Sequence, residues 1–358
     1  GGVANGQFAE YFFNQARQSP YYAAIAGKVD FVLDGQLVSA ATNGYAASGM
    51  QVAPAAGAPG RLATYANLAM YIGGWDANII IGGGQVNAAG FADYLMYSGT
   101  YGKYWFDQQA QTRDTITAQG RAYKLGNYEC GPGYGLPSGG NQYNAVSEAY
   151  GKSLAAGVAT LDCFLYGTSK RVDPQCYFTL QTGTNWASHA YLNNGNYPYA
   201  SWLALQMRNR YVSGDMVATS INTVPTHDQP AWINSTNGGV AAPAAPGTPL
   251  TACYAFRDGA KYSVFVLSRK YSGDTPVTLR LPFNAVSSAT LYKLTGAPDA
   301  RNDQGVYSVQ EQQQAVNDFA QNYTFTLPAS SAYLYVFNGA STVAETNPAC
   351  TKIGRAHV

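Results

Sequence analysis

The 358-residue chain carries 21 Lys and Arg against 20 Asp and Glu, a formal net charge of +1, so it has no field to gather nucleic acid or anionic lipid. Hydrophobic residues make up 46%, enough to bury a large core, while charged residues make up only 11% and Tyr (29) and Gly (39) are abundant. A surface built from Tyr, Asn, Gln, Ser and Thr is that of proteins acting on neutral polymers outside the cytoplasm, so a secreted or periplasmic location is expected.

Residues 8–27 read as helical segments broken near Pro20. The run VDFVLDGQ (29–36) predicts a buried strand that ends with Asp34 and Gln36 entering a loop rich in Ala, Gly and Pro. A second buried strand, ANLAMYIGGWD (66–76), ends with Tyr71, Trp75 and Asp76. Residues 87–120 have helical composition, interrupted near Gly99 and Gly102. The third strand, YKLGNYE (123–129), delivers Glu129 into the glycine-rich turn CGPGYGLPSGG, which contains Tyr134.

A long helix follows over 141–167, then a fourth strand, QCYFTLQTG (175–183), which leads into Thr182, Trp186 and His189. The run YASWLALQMRNRYV (199–212) predicts one more helix. Strand and helix in alternation indicate parallel strands joined by crossover helices.

Beyond 213 the pattern weakens, and VAAPAAPGTPL (240–250) has the composition of a linker. From 251 the period becomes two: TACYAF, KYSVFVLSR, PVTLRLPF, SATLYKLTG, NYTFTLP and AYLYVFNG are short alternating strands, expected to form a β-sandwich. The expected division is 1–215, an α/β part; 216–250, a linker; 251–340, the sandwich; and 341–358, a tail. The tail closes on IGRAHV, which resembles a translated sequencing adaptor, so His357 is set aside.

No run reaches the roughly 18 apolar residues that a membrane helix needs, so membrane insertion is not expected. The five cysteines, at 130, 163, 176, 253 and 350, lack zinc-site spacing. They permit at most two disulfides, Cys163 with Cys176 as one candidate, or else buried free thiols. No metal or cofactor is expected, and IGGGQVN (81–87) lacks the spaced glycines of a nucleotide loop.

Only five glutamates occur, at 10, 129, 148, 311 and 345, and Glu129 alone leaves a buried strand into a Gly-Pro-Gly turn. Such a placement fits a nucleophile held by the strand and approached through the turn, and it fits a structural carboxylate equally. Trp and Tyr near strand ends serve as sugar-stacking platforms or as core. His189 reads as a donor to a substrate hydroxyl or as a satisfied structural group, and turn formation accounts for Asp34 and Asp76 as well as function does.

The order VDFVLDGQ, YANLAMYIGGWD, LGNYECGPGYGLP, YFTLQTGTNWASH, KYSVFVLSRK and AYLYVFNG resembles the C-terminal part of retaining glycoside hydrolases of the large (β/α)8 clan. It is most similar to the arabinofuranosidase and xylosidase type members with a C-terminal β-sandwich, and to bacterial relatives with a Tyr-Glu-Gly-Gly-Pro-Gly motif, where Cys130 replaces a glycine. The resemblance implies the C-terminal half of a TIM (β/α)8 barrel, strands five to eight, followed by a β-sandwich.

It further implies a carbohydrate substrate, Glu129 as nucleophile, Tyr71 orienting it, and Trp186 flooring the sugar site, with Trp75, Asp76, Tyr134 and His189 as further substrate contacts. The clan's acid/base is a Glu after Asn on strand four, and no Asn-Glu pair occurs here. The chain is therefore expected to be a fragment, inactive alone, whose acid/base lies upstream of Gly1. Two other readings stand beside this one: a non-catalytic carbohydrate-binding protein and a cell-surface structural protein.

Overall fold

The computed structural model describes residues 2–36, 49–50, 52, 63–72, 79–133, 145–180, 186–235, 237–283 and 288–339. The expectations for Trp75, Asp76, Tyr134, Thr182 and Cys350 lie outside these residues, as does that for the Gln36 side chain.

The chain opens with helices α1 (Gly2–Gln18) and α2 (Tyr22–Ile25). Four strands follow: β1 (Val32–Gln36), β2 (Tyr65–Ile72), β3 (Lys124–Pro132) and β4 (Val172–Tyr177). They form one parallel sheet in the order β1-β2-β3-β4. Helices α3 (Ala88–Tyr97) and α4 (Lys103–Ala118) connect β2 to β3, and α5 (Ala145–Gly151) and α6 (Leu154–Ser169) connect β3 to β4. Helix α7 (Ala200–Tyr211) comes after β4. The strand–helix alternation in the sequence is thus a run of parallel strands with helical crossovers.

The interruption expected near Gly99 and Gly102 is a π-helical turn, Ser98–Gly102, between α3 and α4. Its glycine has a steric reason, because a Cβ on Gly99 would lie 2.5 Å from the Arg269 guanidinium carbon. Asn87 and Ser153 cap α3 and α6 by accepting from the backbone N–H of Gly90 and Ala156.

The C-terminal strands are β5 (Asp215–Val217), β6 (Thr226–Gln229), β7 (Trp232–Ile233), β8 (Val240–Ala242), β9 (Ala245–Pro249), β10 (Thr251–Asp258), β11 (Lys261–Ser268), β12 (Thr275–Arg280), β13 (Ala289–Leu294), β14 (Gln312–Val316), β15 (Asn322–Leu327) and β16 (Ala332–Asn338). Six make an antiparallel sheet in the order β14-β13-β16-β11-β10-β5, and β12 pairs with β15. All six alternating runs seen in the sequence are strands of these two sheets.

The central strands of the six-stranded sheet are buried on both faces, and alternation along each assigns its side chains. Tyr254, Phe265, Leu267 and Leu334 join a core shared with α6 and the parallel sheet. Val264, Val266, Tyr335 and Phe337 join a second core with Leu279 and Leu327 from the β12–β15 pair. Helix α6 lies between the parallel and antiparallel sheets, which explains why its sequence, LAAGVATLDCFLYGTS, is small or apolar almost all the way round.

Two expectations are corrected. The stretch 216–250, read as a linker, carries β6 to β9, and Trp232 is buried there with its Nε1 donating to Thr100 Oγ1 at 3.0 Å. Ala241 and Ala242 of β8 are buried there, while Pro243, Ala244 and Pro246 are exposed. The candidate Cys163–Cys176 bridge is absent: both are free thiols, the first buried on α6 and the second exposed on β4.

A buried ion pair joins the two halves. Asp162 of α6 accepts from Arg269 Nε at 2.8 Å and Nη2 at 3.1 Å, and from the Tyr254 hydroxyl at 2.7 Å. Burial alone would pull the Arg269 pKa down, and the Asp162 carboxylate outweighs it and holds the guanidinium above its ordinary value.

Candidate functional site

The two faces of the parallel sheet follow from register and alternation. Leu33, Ala66, Leu68, Met70, Ile72 and Leu125 are buried in the core shared with α6. The other face holds Asp34, Asn67, Ala69 and Tyr71, with Asp34 paired to Asn67.

Glu129 reaches that second face because β3 contains a bulge. Leu68 pairs with Asn127 and Ala69 pairs with Glu129, so Tyr128 is an extra residue without a counterpart on β2. In a regular strand Glu129, two residues after Asn127, would share its face and point to the core. The bulge turns Glu129 to the same side as Ala69 and Tyr71, and returns Cys130, fully buried, to the core opposite Met70. Facing Glu129 across the ladder is Ala69, the smallest side chain that β2 could offer short of glycine.

Glu129 is half-buried and, among the described residues, makes no hydrogen bond or ion pair. A partly desolvated carboxylate without an internal partner is available to a ligand.

Aromatic rings surround the strand ends beside it. Tyr71 meets Phe178 edge-on with ring centroids 6.4 Å apart, and Phe178 meets Trp186 at 6.1 Å. Two backbone bonds fix Phe178 and Trp186 there: Phe178 N donates to Cys130 O at 2.9 Å, and Thr179 N donates to Trp186 O at 2.8 Å. From the helix side the Tyr94 hydroxyl donates to Ile72 O at 2.8 Å and Gly133 O at 3.2 Å, tying the ends of β2 and β3 together.

The structure therefore brings Tyr71 and Trp186 into one aromatic run at the end of the sheet that carries Glu129. Phe178, which links them, was not singled out by sequence reasoning. Its signal was its place as the first residue past β4, where exposure of an aromatic ring has no packing reason; it is 36% exposed.

His189 is held elsewhere. Its Nδ1 lies 2.7 Å from Ser188 Oγ, and its ring packs on Trp202 of α7 at 5.7 Å. Trp202 in turn meets Tyr177, the residue paired with Cys130 on the core face. Burial lowers the His189 pKa, so the imidazole is neutral at neutral pH. No cluster of His, Cys, Asp and Glu able to hold a metal ion occurs among the described residues.

No family model matches the sequence, and no curated protein is similar to it. Solved structures do match the fold. The α-L-arabinofuranosidase from Thermotoga maritima, solved with arabinose, superposes with a TM-score of 0.68 at 13% identity over 94% of this chain and 62% of that one. A family 51 α-L-arabinofuranosidase from Thermotoga petrophila RKU-1 gives 0.63 at 13% identity, with 92% and 62% covered. The family 51 enzyme from Bifidobacterium longum also gives 0.63 at 13%, with 94% and 63% covered. The chain thus spans about 62% of the length of the first of these, and it has the fold of the corresponding part of a glycoside hydrolase.

Proposed function

We propose that this chain is the C-terminal portion of a retaining glycoside hydrolase, with β1 to β4 as the last four strands of a (β/α)8 barrel and the antiparallel sheets as its C-terminal sandwich. Glu129 is the nucleophile. The observation that carries this reading is the bulge at Tyr128, which takes an otherwise core-facing carboxylate to the open face, beside Tyr71 and Trp186.

The reaction is a double displacement. Glu129 attacks the anomeric carbon as the aglycone oxygen leaves with a proton from an acid, and water assisted by the same group then releases the sugar. Tyr71 orients the carboxylate, and Trp186 with Phe178 provides an apolar floor for the sugar ring.

The acid must stand about 5 Å from Glu129 in a retaining enzyme. Asp34 shares the open face but is paired with Asn67, two strands from Glu129, which places it about 10 Å away across the sheet. The acid/base is therefore supplied from outside the described residues, from strands upstream of Gly1, and the 358-residue chain alone does not turn over aryl glycosides.

The test uses the longer reading frame from which this chain derives. In that polypeptide Glu129→Ala lowers aryl glycoside hydrolysis on the order of a thousandfold or more. Azide then restores turnover by attacking from the vacated face, giving a glycosyl azide of inverted configuration. Rescue with retained configuration, or hydrolysis by the isolated 358-residue chain that Glu129→Gln abolishes, sinks the assignment.

A non-catalytic sugar-binding role has one observation in its favour: the Tyr71–Phe178–Trp186 run is present with no second carboxylate near Glu129 among the described residues. An upstream frame lacking Asn-Glu at a strand end selects it, given saturable quenching of Trp fluorescence by oligosaccharides.

A further inference from the structure

Away from Glu129, a cleft of about 770 Å³ opens between α4 and the strands that follow α7. One wall is a single face of α4, formed by Lys103, Tyr104, Asp107 and Gln108, whose spacing of one, three and four residues stacks them on one side. The opposite wall is apolar: Met216, Ile221, Pro243, Ala244, Pro246 and Cys253. Burial pushes the Cys253 thiol up to about 12, so this wall carries no charge near neutral pH. The volume falls within the range of small-molecule sites, which are mostly apolar with a few convergent polar groups.

The polar end is positive. Lys103 and Lys170 both pair with Asp107, and both ammonium groups lie over the Tyr166 ring, at 5.7 Å and 5.2 Å. Partial burial pushes the Asp107 carboxyl upward, and hydrogen bonds from Lys103, Lys170 and Tyr166 overcome this and hold it below the usual range. Lys103 and Arg171 both line the cleft, with Lys170 behind them on the other side of Asp107.

Arg171 occupies its place at a conformational cost. It has φ +59°, the left-handed region that L-residues avoid, at the position just past the C-cap of α6. Helix α4 ends in the same way, with Gln119 as cap followed by Gly120 at φ +80°. In both turns the left-handed residue donates to the carbonyl three residues back, Thr117 or Thr168, at 2.9 Å. One helix thus uses the glycine that this turn favours, while the one beside the cleft uses Arg. Strain held at a particular residue points to a use for its side chain.

We propose that this cleft binds a monocarboxylate with an apolar body, an aryl or short acyl acid. Its carboxylate pairs with Arg171 and Lys103, and its body lies between Tyr104 and the proline-bearing wall. The site is separate from Glu129 and independent of the glycosidase reading.

Isothermal titration of the 358-residue chain with benzoate and octanoate tests it, with benzyl alcohol and octanol as uncharged counterparts. The acids bind saturably at millimolar concentration or below, and the alcohols bind about tenfold more weakly or not at all. Arg171→Gly is the informative variant: it relieves the left-handed strain, so the thermal midpoint stays or rises, while affinity for the acids falls about tenfold. Ala244→Trp, at an exposed position on the opposite wall, fills the cleft and abolishes binding. Absence of saturable binding, equal binding of acids and alcohols, or unchanged affinity in either variant overturns the proposal.

Discussion

The parallel sheet has two faces made from the same four strands, and they are built to opposite ends. Toward α6, Leu68, Met70, Leu125 and Cys130 are fully buried and continue into the core under the antiparallel sheet. On the other face Asp34 is exposed, Glu129 is half-buried without an internal partner among the described residues, and an aromatic run lies at the strand ends. A strand has a side-chain period of two, so an extra residue in a regular strand would move everything beyond it from one face to the other. The bulge absorbs Tyr128, which keeps Glu129 on the open face and Cys130 in the core.

Exchanging the two neighbours, Glu129→Cys with Cys130→Glu, is the strongest test of this comparison. The exchange places a carboxylate on the core face opposite Met70 and a thiol on the open face opposite Ala69. An uncompensated carboxylate under α6 costs more than about 5 kcal/mol, comparable to the whole stability of an ordinary domain. The expected outcome is a chain without a cooperative urea transition. By contrast, Glu129→Gln on the open face shifts stability by about 0.5 kcal/mol or less, because no internal hydrogen bond is lost. Equal stabilities for the exchange and the wild type would show that the faces are not distinguished as described.

The next effect lies deeper on the core side. Asp162→Ala leaves the Arg269 guanidinium buried against the π-turn with Pro249 O as its remaining acceptor in the cluster, 3.0 Å from Nη1. Loss of one partner from a buried pair costs about 3–5 kcal/mol. Urea denaturation followed by Tyr and Trp fluorescence reads the change, and because the pair joins α6 to the antiparallel sheet, the two parts then unfold in separate steps. A single transition with an unchanged midpoint would remove the pair from the list of forces that join them.

Much of this arrangement was legible in the sequence. VDFVLDGQ, ANLAMYI and YKLGNYE are runs that only strands buried on at least one face use, and the break near Gly99 and Gly102 marked the π-turn. The bulge was not legible, since Tyr128 is neither glycine nor proline and the extra residue is defined only by pairing with β2. β14 escaped because QQQAV has almost no apolar alternation, four of its five residues being exposed. The strap 240–250 misled because Ala and Pro content signals a loose linker, whereas strand pairing, with Ala242 opposite Trp232 and Pro249 opposite Thr226, is set by partners distant in the sequence. For the site, Glu129 was conspicuous as a rare carboxylate at a strand end, whereas Phe178 gained meaning only from its ring contacts.

His189 gives the smallest effect and sharpens where the open face stops. Its ring packs on Trp202, which meets Tyr177 of the core-facing set, so it belongs with α7 and not with the Tyr71–Phe178–Trp186 run. Burial lowers its pKa from the ordinary 6.5. With a depressed folded value, the unfolded chain binds the proton more readily, so the stability tied to neutral His189 is present above pH 6.5 and is lost as pH falls through the folded value. The imidazole is only partly buried, which keeps the effect small. Urea midpoints compared at about pH 7.5 and about pH 5 fall less in His189→Gln than in the wild type, because the variant has no proton to take up there. If His189 instead served the open face, the same substitution would leave that pH slope intact and alter the quenching of Trp186 by oligosaccharides.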